Sequence, residues 1–480
     1  MSLTIWTFVI TLALITMSGA MAWVRKRETP EDYLVASRQV KPWLAALSTV
    51  ATNNSGFMFI GMIGFTYQFG VEAFWLMAAW ILGDLTGWIF VNPRVRRRSE
   101  AVKANTLSSL IGTWDGKVHR PVVVACGAVT FLFLGVYAAG QLKAGSTALT
   151  ALFGWDMYVG SLIAAGIVVL YSYAGGVRAD IWTDAAQSFA MIGAMILILV
   201  AGNLEVGGWT ALMEALRAQD PQLASWTPHA TELTLLGFVL GYYFGGFTMT
   251  GQPHLMARMI AIESVSAVRT ARLYYFAWYV PFFLCSIGVG LYSRAIIPDI
   301  ASLAVAEGMT SPTELALPLI AERLLPDVLV GIALAGLFAA TISTADSQVI
   351  VCSGAVTQEI QPRWKDSYLA SKLSTLALAA MALAIALLAP EGVFGLVLIA
   401  WSALGASFGP LLLIRVYDLP LSTGAALGMI AAALITVSLW HLSPWNDDVF
   451  KALPGVLAAG LVYAGWRRRA APSRAGAETG

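Results

Sequence analysis

Charge is scarce in this 480-residue chain: only 12% of its residues are Asp, Glu, Lys or Arg, about half the share usual in a soluble domain. Its net charge of +1 offers no cationic surface for nucleic acid. Histidine and cysteine are scarcer still, at four and three residues. His119, His229 and His441 fall in expected loops or at a helix end, which leaves a haem or zinc enzyme short of ligands. Neither HExxH nor GxSxG occurs, so the chemistries those motifs carry have no support, and the chain does not read as an enzyme. Cys126, Cys285 and Cys352 all lie in apolar runs, where they read as small packing residues without a disulfide framework.

Long apolar runs are what the chain has in quantity. It is 58% hydrophobic with a mean hydropathy of +0.72, and a helix needs about 20 apolar residues to cross a bilayer. Thirteen segments meet that length, at about 3–24, 42–70, 71–92, 121–152, 157–177, 181–203, 233–257, 273–297, 326–357, 369–389, 392–416, 420–441 and 451–466. This is the pattern of an all-α, multi-pass protein of the cell inner (plasma) membrane. Lys and Arg in short connections stay on the cytoplasmic side. With the N-terminus outside and the C-terminus inside, 24 of the 29 basic residues fall inward, Arg258, Arg269, Arg272 and Arg415 being placed in connections. The cluster Arg25, Lys26 and Arg27 follows the first apolar run instead of preceding it, the order of a retained helix and not of a signal peptide. No loop reaches thirty residues, so no soluble domain is expected.

Two of the segments are interrupted. The one at 42–70 carries ATNNSG in its middle, and the one at 233–257 carries GGFTMTGQP. Each stands first in a set of five helices, the pattern of transporters built from two inverted repeats whose broken helices bring backbone groups to a midplane site. Irregular backbone at that depth must face protein or a water-filled cavity. The expected organisation is an extra helix and cytoplasmic loop at 1–41, a first repeat at 42–203 and an external loop at 204–232. A second repeat follows at 233–417, then two helices and a short tail at 418–480.

The stretch AATISTADSQ (339–348) sets oxygen-bearing side chains into an apolar helix. Ala340, Ser343, Thr344 and Ser347 recur at the spacing of one helix face. Hydroxyls and carbonyls are the ligands a hard cation such as Na⁺ prefers. Asp346 is costly near the bilayer centre; it is either an ion ligand or a carboxylate already at the cytoplasmic end. Of Asp180 and Asp184, beside Arg178, one is expected to cap a helix start and the other to face inward. ATNNSGF (51–57) has the composition of an unwound segment with free carbonyls, and Pro253 in TMTGQPH removes one helical hydrogen bond. His254 reads as a structural hydrogen-bonder, Lys143 as a snorkelling side chain and Tyr137 as a packing or cavity residue.

Five stretches, SRQVKPWLAALSTVATNNSGF (37–57), YSYAGGVRADIWTDAAQ (171–187), GQPHLMARMIAIES (251–264), AATISTADSQVIVCSGAVTQEI (339–360) and WSALGASFGPLLL (401–413), resemble the sodium/solute symporter family, most closely its sodium/proline branch. The resemblance implies the leucine-transporter fold, with 42–70 as the first core helix. It implies a sodium site on the carbonyls of Ala51, Asn54 and Ala340 and the hydroxyls of Ser343 and Thr344. A second sodium set in some members corresponds to Asp184, Ser343, Asp346 and Ser347, Asp346 standing where those members have serine. The solute pocket would involve Asn53, Ser55, Gly56, Tyr137, Gly245, Met249 and Pro253. The proline branch has an aspartate at Asn53 and aromatic residues at Gly245 and Met249, so a roomier, differently selective pocket is expected here.

The expected function is sodium-coupled import of a small organic solute, an amino acid or related carboxylate, by alternating access. The partners are Na⁺, the solute and the lipid bilayer. Proton coupling through Asp184 and Asp346 is the alternative within the same fold, and a sodium/proline symporter proper is another. A channel or a solute sensor belongs to a different class; no attached signalling domain supports the sensor.

Overall fold

Lipid tolerates a chain only if each backbone N–H and C=O finds its partner within the chain, which makes long apolar segments helical. The computed structural model describes residues 3–23, 35–174, 177–227, 232–300, 312–365, 367–446 and 448–470, and helices lie over all thirteen apolar segments. The basic cluster at 25–27 and His229 lie outside the described residues. We number the helices α1 (Leu3–Trp23), α2 (Pro42–Gly56), α3 (Met62–Phe69), α4 (Ala73–Phe90), α5 (Asn92–Ala101), α6 (Arg120–Phe153), α7 (Met157–Ala174), α8 (Val177–Val206) and α9 (Trp209–Gln219). They continue as α10 (Glu232–Phe247), α11 (Pro253–Ala261), α12 (Val265–Ile296), α13 (Ala316–Leu324), α14 (Asp327–Gly354), α15 (Tyr368–Leu388), α16 (Val393–Val416), α17 (Thr423–His441) and α18 (Ala452–Ala470). The expected helix WTALMEALRAQ is α9. A two-stranded antiparallel hairpin, Thr113–Trp114 with Lys117–Val118, precedes α6.

Among the described residues, eight helical stretches are long and apolar enough to cross a membrane, one of them the run Pro42–Ala101 that holds two expected segments. The pair α10 and α11 does not qualify, because the expected break divides it into helices of 16 and 9 residues. Leu82, Leu132, Leu162, Leu388 and Leu461 stand exposed, as a lipid-facing surface requires.

Both breaks are present. Near the end of α2 the chain leaves helical geometry at Ser55, with φ 42° and ψ −167°, a region costly for any residue with a Cβ. A π-helical turn, Phe57–Gly61, then leads into α3. The other break is a 3-10 turn, Thr248–Gly251, followed by extended Gln252. Pro253 opens α11 at its first turn, where its missing N–H costs nothing, and does not sit inside a continuous helix. Gly56 is held against α6 and α14: a Cβ there would lie 2.5 Å from Ala144 Cβ and 3.1 Å from Thr341 Cγ2. The broken helix α2 packs against α8, α12 and α14, and the 248–251 turn packs against α16.

One expectation of placement changes. Arg258, Arg269, Arg272 and Arg415 lie in α11, α12 and α16, not in connections. The apolar pattern fades before these helices end, so hydropathy alone truncates them.

Candidate sodium and solute site

Where α2 meets α14, the oxygen-bearing face reads as its spacing requires. Ala340, Ser343, Thr344 and Ser347 are all buried, as are Ala51 and Asn54 opposite them. Thr344 donates to the Ala340 carbonyl at 3.0 Å, and Ser343 donates to Asp184 Oδ1. A hydroxyl whose proton is engaged in this way keeps oxygen lone pairs for a cation. Asn54 has both side-chain atoms buried without a hydrogen-bond partner, and its carbonyl accepts from the Phe57 N–H.

Below this face lies an ionic cluster that sequence reading missed. Arg258, with no exposed surface, donates from Nη2 to Asp180 at 2.6 Å, Asp184 at 3.1 Å and Ser347 at 2.6 Å. It also reaches Thr52 and Ser48 at 3.1 Å each and the His254 carbonyl at 2.7 Å. Asp184 Oδ2 accepts from Ser48 at 2.6 Å and Thr52 at 3.2 Å, and Ser347 donates to Asp180 at 2.9 Å. Helices α2, α8, α11 and α14 therefore converge on one buried node. Asp180 does not cap a helix at the surface as expected of one of the pair; both carboxylates face inward because Arg258 stands between them. One guanidinium thus stands between two carboxylates. Asp346 is buried as well, at 7% exposure, so it does not stand in water at the helix end.

Beside the break a cavity of about 10 Å³, room for about one water molecule, is lined by Asn53, Phe57, Trp80, Tyr137, Tyr279 and Trp401 with Val397. Asn53 Nδ2 donates to Tyr275 Oη at 2.6 Å, and Tyr275 donates to Asp84 at 2.7 Å. The Gly56 N–H donates to Gln141 at 2.9 Å, and Ser55 Oγ lies 3.5 Å from Tyr137 Oη.

Of the residues expected at the solute pocket, Asn53 and Tyr137 line this cavity, with Ser55 and Gly56 just behind. Gly245 touches it indirectly: its carbonyl accepts from Trp401 Nε1 at 2.7 Å. Met249 is buried and lines no part of it, and Pro253 lines a separate cavity with Ala257, Ile350 and Glu359. The extended Gln252 carries the chain past the cavity beside the break before Pro253 starts a new helix. The expected spaciousness is also absent. A Cβ on Gly245 would come within 2.9 Å of both Trp80 and Phe450, so rings from α4 and from the segment before α18 occupy the room left by glycine. Asp84, the one charged residue of α4, is a sequence signal that the reading of the chain above did not use.

A profile of the Sodium:solute symporter family matches residues 33–432, and the chain belongs to that family. It is 28% identical to the sodium/proline symporter of Escherichia coli (strain K12) over 94% of this chain and 90% of that protein. It is equally identical to the high-affinity proline transporter PutP of Bacillus subtilis (strain 168), over 89% of this chain and 90% of that one. Among solved structures, a Na⁺-coupled sialic acid symporter in a substrate-bound outward-open state superposes with a TM-score of 0.76 at 19% identity, covering 98% of both chains. MhsT in complex with L-phenylalanine superposes with a TM-score of 0.56 at 14% identity, over 89% of this chain and 98% of that one. The fold is that of the leucine-transporter group, with two inverted five-helix repeats.

Proposed function

We propose that the protein imports a small organic solute, an amino acid or related carboxylate, driven by a sodium gradient, with its N-terminus outside and its C-terminus inside. The repeats are 42–203 and 233–417, flanked by 1–41, the external loop 204–232 and the C-terminal helices of 418–480. Na⁺ bridges α2 and α14, held by the carbonyls of Ala51, Asn54 and Ala340 and the hydroxyls of Ser343 and Thr344. A second sodium joins Asp184, Ser343, Asp346 and Ser347. The solute binds beside the break at Asn53, Ser55, Gly56 and Tyr137.

The observation that carries this reading is the convergence of α2 and α14 on Asp184. Ser48 and Thr52 come from the broken helix and Ser343 from the oxygen face, and at this node two carboxylates face one guanidinium. A cation at Asp184 offsets the surplus of carboxylates and ties the two helices together. A ligand shifts a conformational equilibrium only by its difference in affinity between states. Sodium that fits only when α2 and α14 are apposed supplies that difference. The test is solute uptake into proteoliposomes as sodium is varied. Ser343→Ala and Thr344→Ala should each raise the half-saturating sodium concentration about tenfold or more. Sodium dependence identical to wild type in both would remove the assignment, and uptake driven by a pH gradient without sodium would transfer the coupling to protons.

A further inference from the structure

Four arginines meet at a cavity that sodium and solute leave unused. Arg94 and Arg97 of α5 and Arg269 and Arg272 of α12, with Ile89 and Val265, line a space of about 220 Å³ where α5 packs on α12. The two arginines of each pair are three residues apart, the spacing of neighbours on one helix surface.

Helix α5 divides its arginines between two tasks. Arg96 binds Glu100 and Arg98 binds Asp418, at 2.8 Å each. Arg94 and Arg97 line the cavity instead. Among the described residues no Asp or Glu lines it, and none of its four arginines is ion-paired. Arg94 donates to the Phe90 carbonyl at 2.7 Å and lies over the Tyr417 ring at 4.4 Å. Orientation in the membrane asks for arginines on the cytoplasmic side, but not for two helices to bring theirs to one space. Like charges held together repel, so an anion among them lowers the energy. The first turn of α12, at Val265, adds the positive end of a 32-residue helix.

The rim says what carries the anion. Ile89 lines the cavity and is exposed, as are its neighbour Phe90 and Leu273, which follows Arg272. Tyr417, beneath Arg94, is exposed too, an amphipathic ring of the kind found at the membrane interface. Guanidinium groups match phosphate oxygens in pairs. Basic pockets between helices at the cytoplasmic side suit acidic lipid headgroups.

We propose that this cradle seats the phosphate headgroup of an anionic membrane lipid, its acyl chains running along Ile89, Phe90 and Leu273. A lipid seated there ties the short α5 to α12.

The test uses the full-length protein in neutral detergent, with phosphatidylglycerol or phosphatidylcholine added at equal mole fraction, read by thermal unfolding and native mass spectrometry. The wild type should retain phosphatidylglycerol and be stabilised by it, and phosphatidylcholine should do neither. Arg97→Gln with Arg269→Gln alters two exposed side chains and should weaken phosphatidylglycerol binding about tenfold or more. Arg468→Gln with Arg469→Gln removes the same charge from the end of α18 and should leave binding unchanged. No preference of the wild type for phosphatidylglycerol overturns the proposal. So does an equal loss in both double variants, which marks general attraction to a basic surface. Inorganic phosphate or glycerol 3-phosphate that stabilises the protein as well as the lipid, and displaces it, gives the site to a soluble phosphate and overturns the lipid. If the Arg97 and Arg269 pair unfolds on purification, the two single exchanges carry the comparison, and unchanged affinity in both overturns the proposal.

Discussion

Replacing Arg258 by Met probes the buried node most directly. The guanidinium makes bonds of 2.6 Å to Asp180, 2.6 Å to Ser347 and 3.1 Å to Asp184, besides those to Ser48, Thr52 and the His254 carbonyl. Methionine matches its stem but leaves two carboxylates without their cation. Removing one partner from a buried ion pair costs about 3 to 5 kcal/mol, more than the pair itself is worth. The carboxylates then lose their guanidinium, so Na⁺ should protect Arg258→Met more than it protects the wild type, since stabilisation grows with ligand affinity. The second-site variant Arg258→Met with Asp180→Asn removes one of the two carboxylates left without the guanidinium. It should recover most of the lost stability and a wild-type sodium response. Thermal unfolding in detergent across a sodium titration measures both quantities. If the double variant is as unstable as the single one, charge balance is not what holds the node and the argument for a cation there fails.

Other perturbations test other parts of the structure. Burial lifts the Glu314 carboxyl from its ordinary 4.5 to about 7, opposed in part by the backbone N–H groups of Val393 and Phe394 and by the charge of Lys143. An acid raised in this way binds its proton more tightly when folded, so stability should rise as pH falls through about 7 and level off below about 4.5. The gain, up to about 3 kcal/mol, should vanish in Glu314→Gln; a rise that persists in the variant refutes the assignment. Gly56→Ala places a Cβ 2.5 Å from Ala144 Cβ. It should cost about 1 to 3 kcal/mol and abolish uptake, and an active, stable variant would show that the break is not clamped. Lys143 holds the carbonyls of Ala389 and Glu391 at 2.7 Å each. Lys143→Met should lower thermal stability by about 1 to 3 kcal/mol and speed hydrogen exchange in the turn after α15; exchange unchanged there would count against the tether.

The two breaks were legible because a helix in lipid has no other reason to carry ATNNSG or TMTGQP. The oxygen face was legible because Ala340, Ser343, Thr344 and Ser347 recur at helical spacing. Arg258 was not, for a reason of position: it follows an apolar run closely enough to read as the start of a connection, and its partners Asp180 and Asp184 lie on a helix some eighty residues earlier. Charge pairs across such separations leave no local pattern. The crowding of the solute cavity was equally hidden. Glycine at 245 reads as empty space until the fold shows which rings come to fill it.

One of those rings belongs to Trp80, and Gly246 beside Gly245 is pressed harder still, since a Cβ there would fall 1.9 Å from the Trp80 carbonyl. The glycine pair lets α4 approach so closely that its indole becomes the wall of a cavity built around another helix. Solute selectivity is thus divided between two helices that must change in step. A larger residue at 245 evicts the indole, and a smaller one at 80 opens a void that the glycine leaves unfilled. Variants that acquire new solutes should therefore arise as paired exchanges at these positions, each member harmful until the other is made.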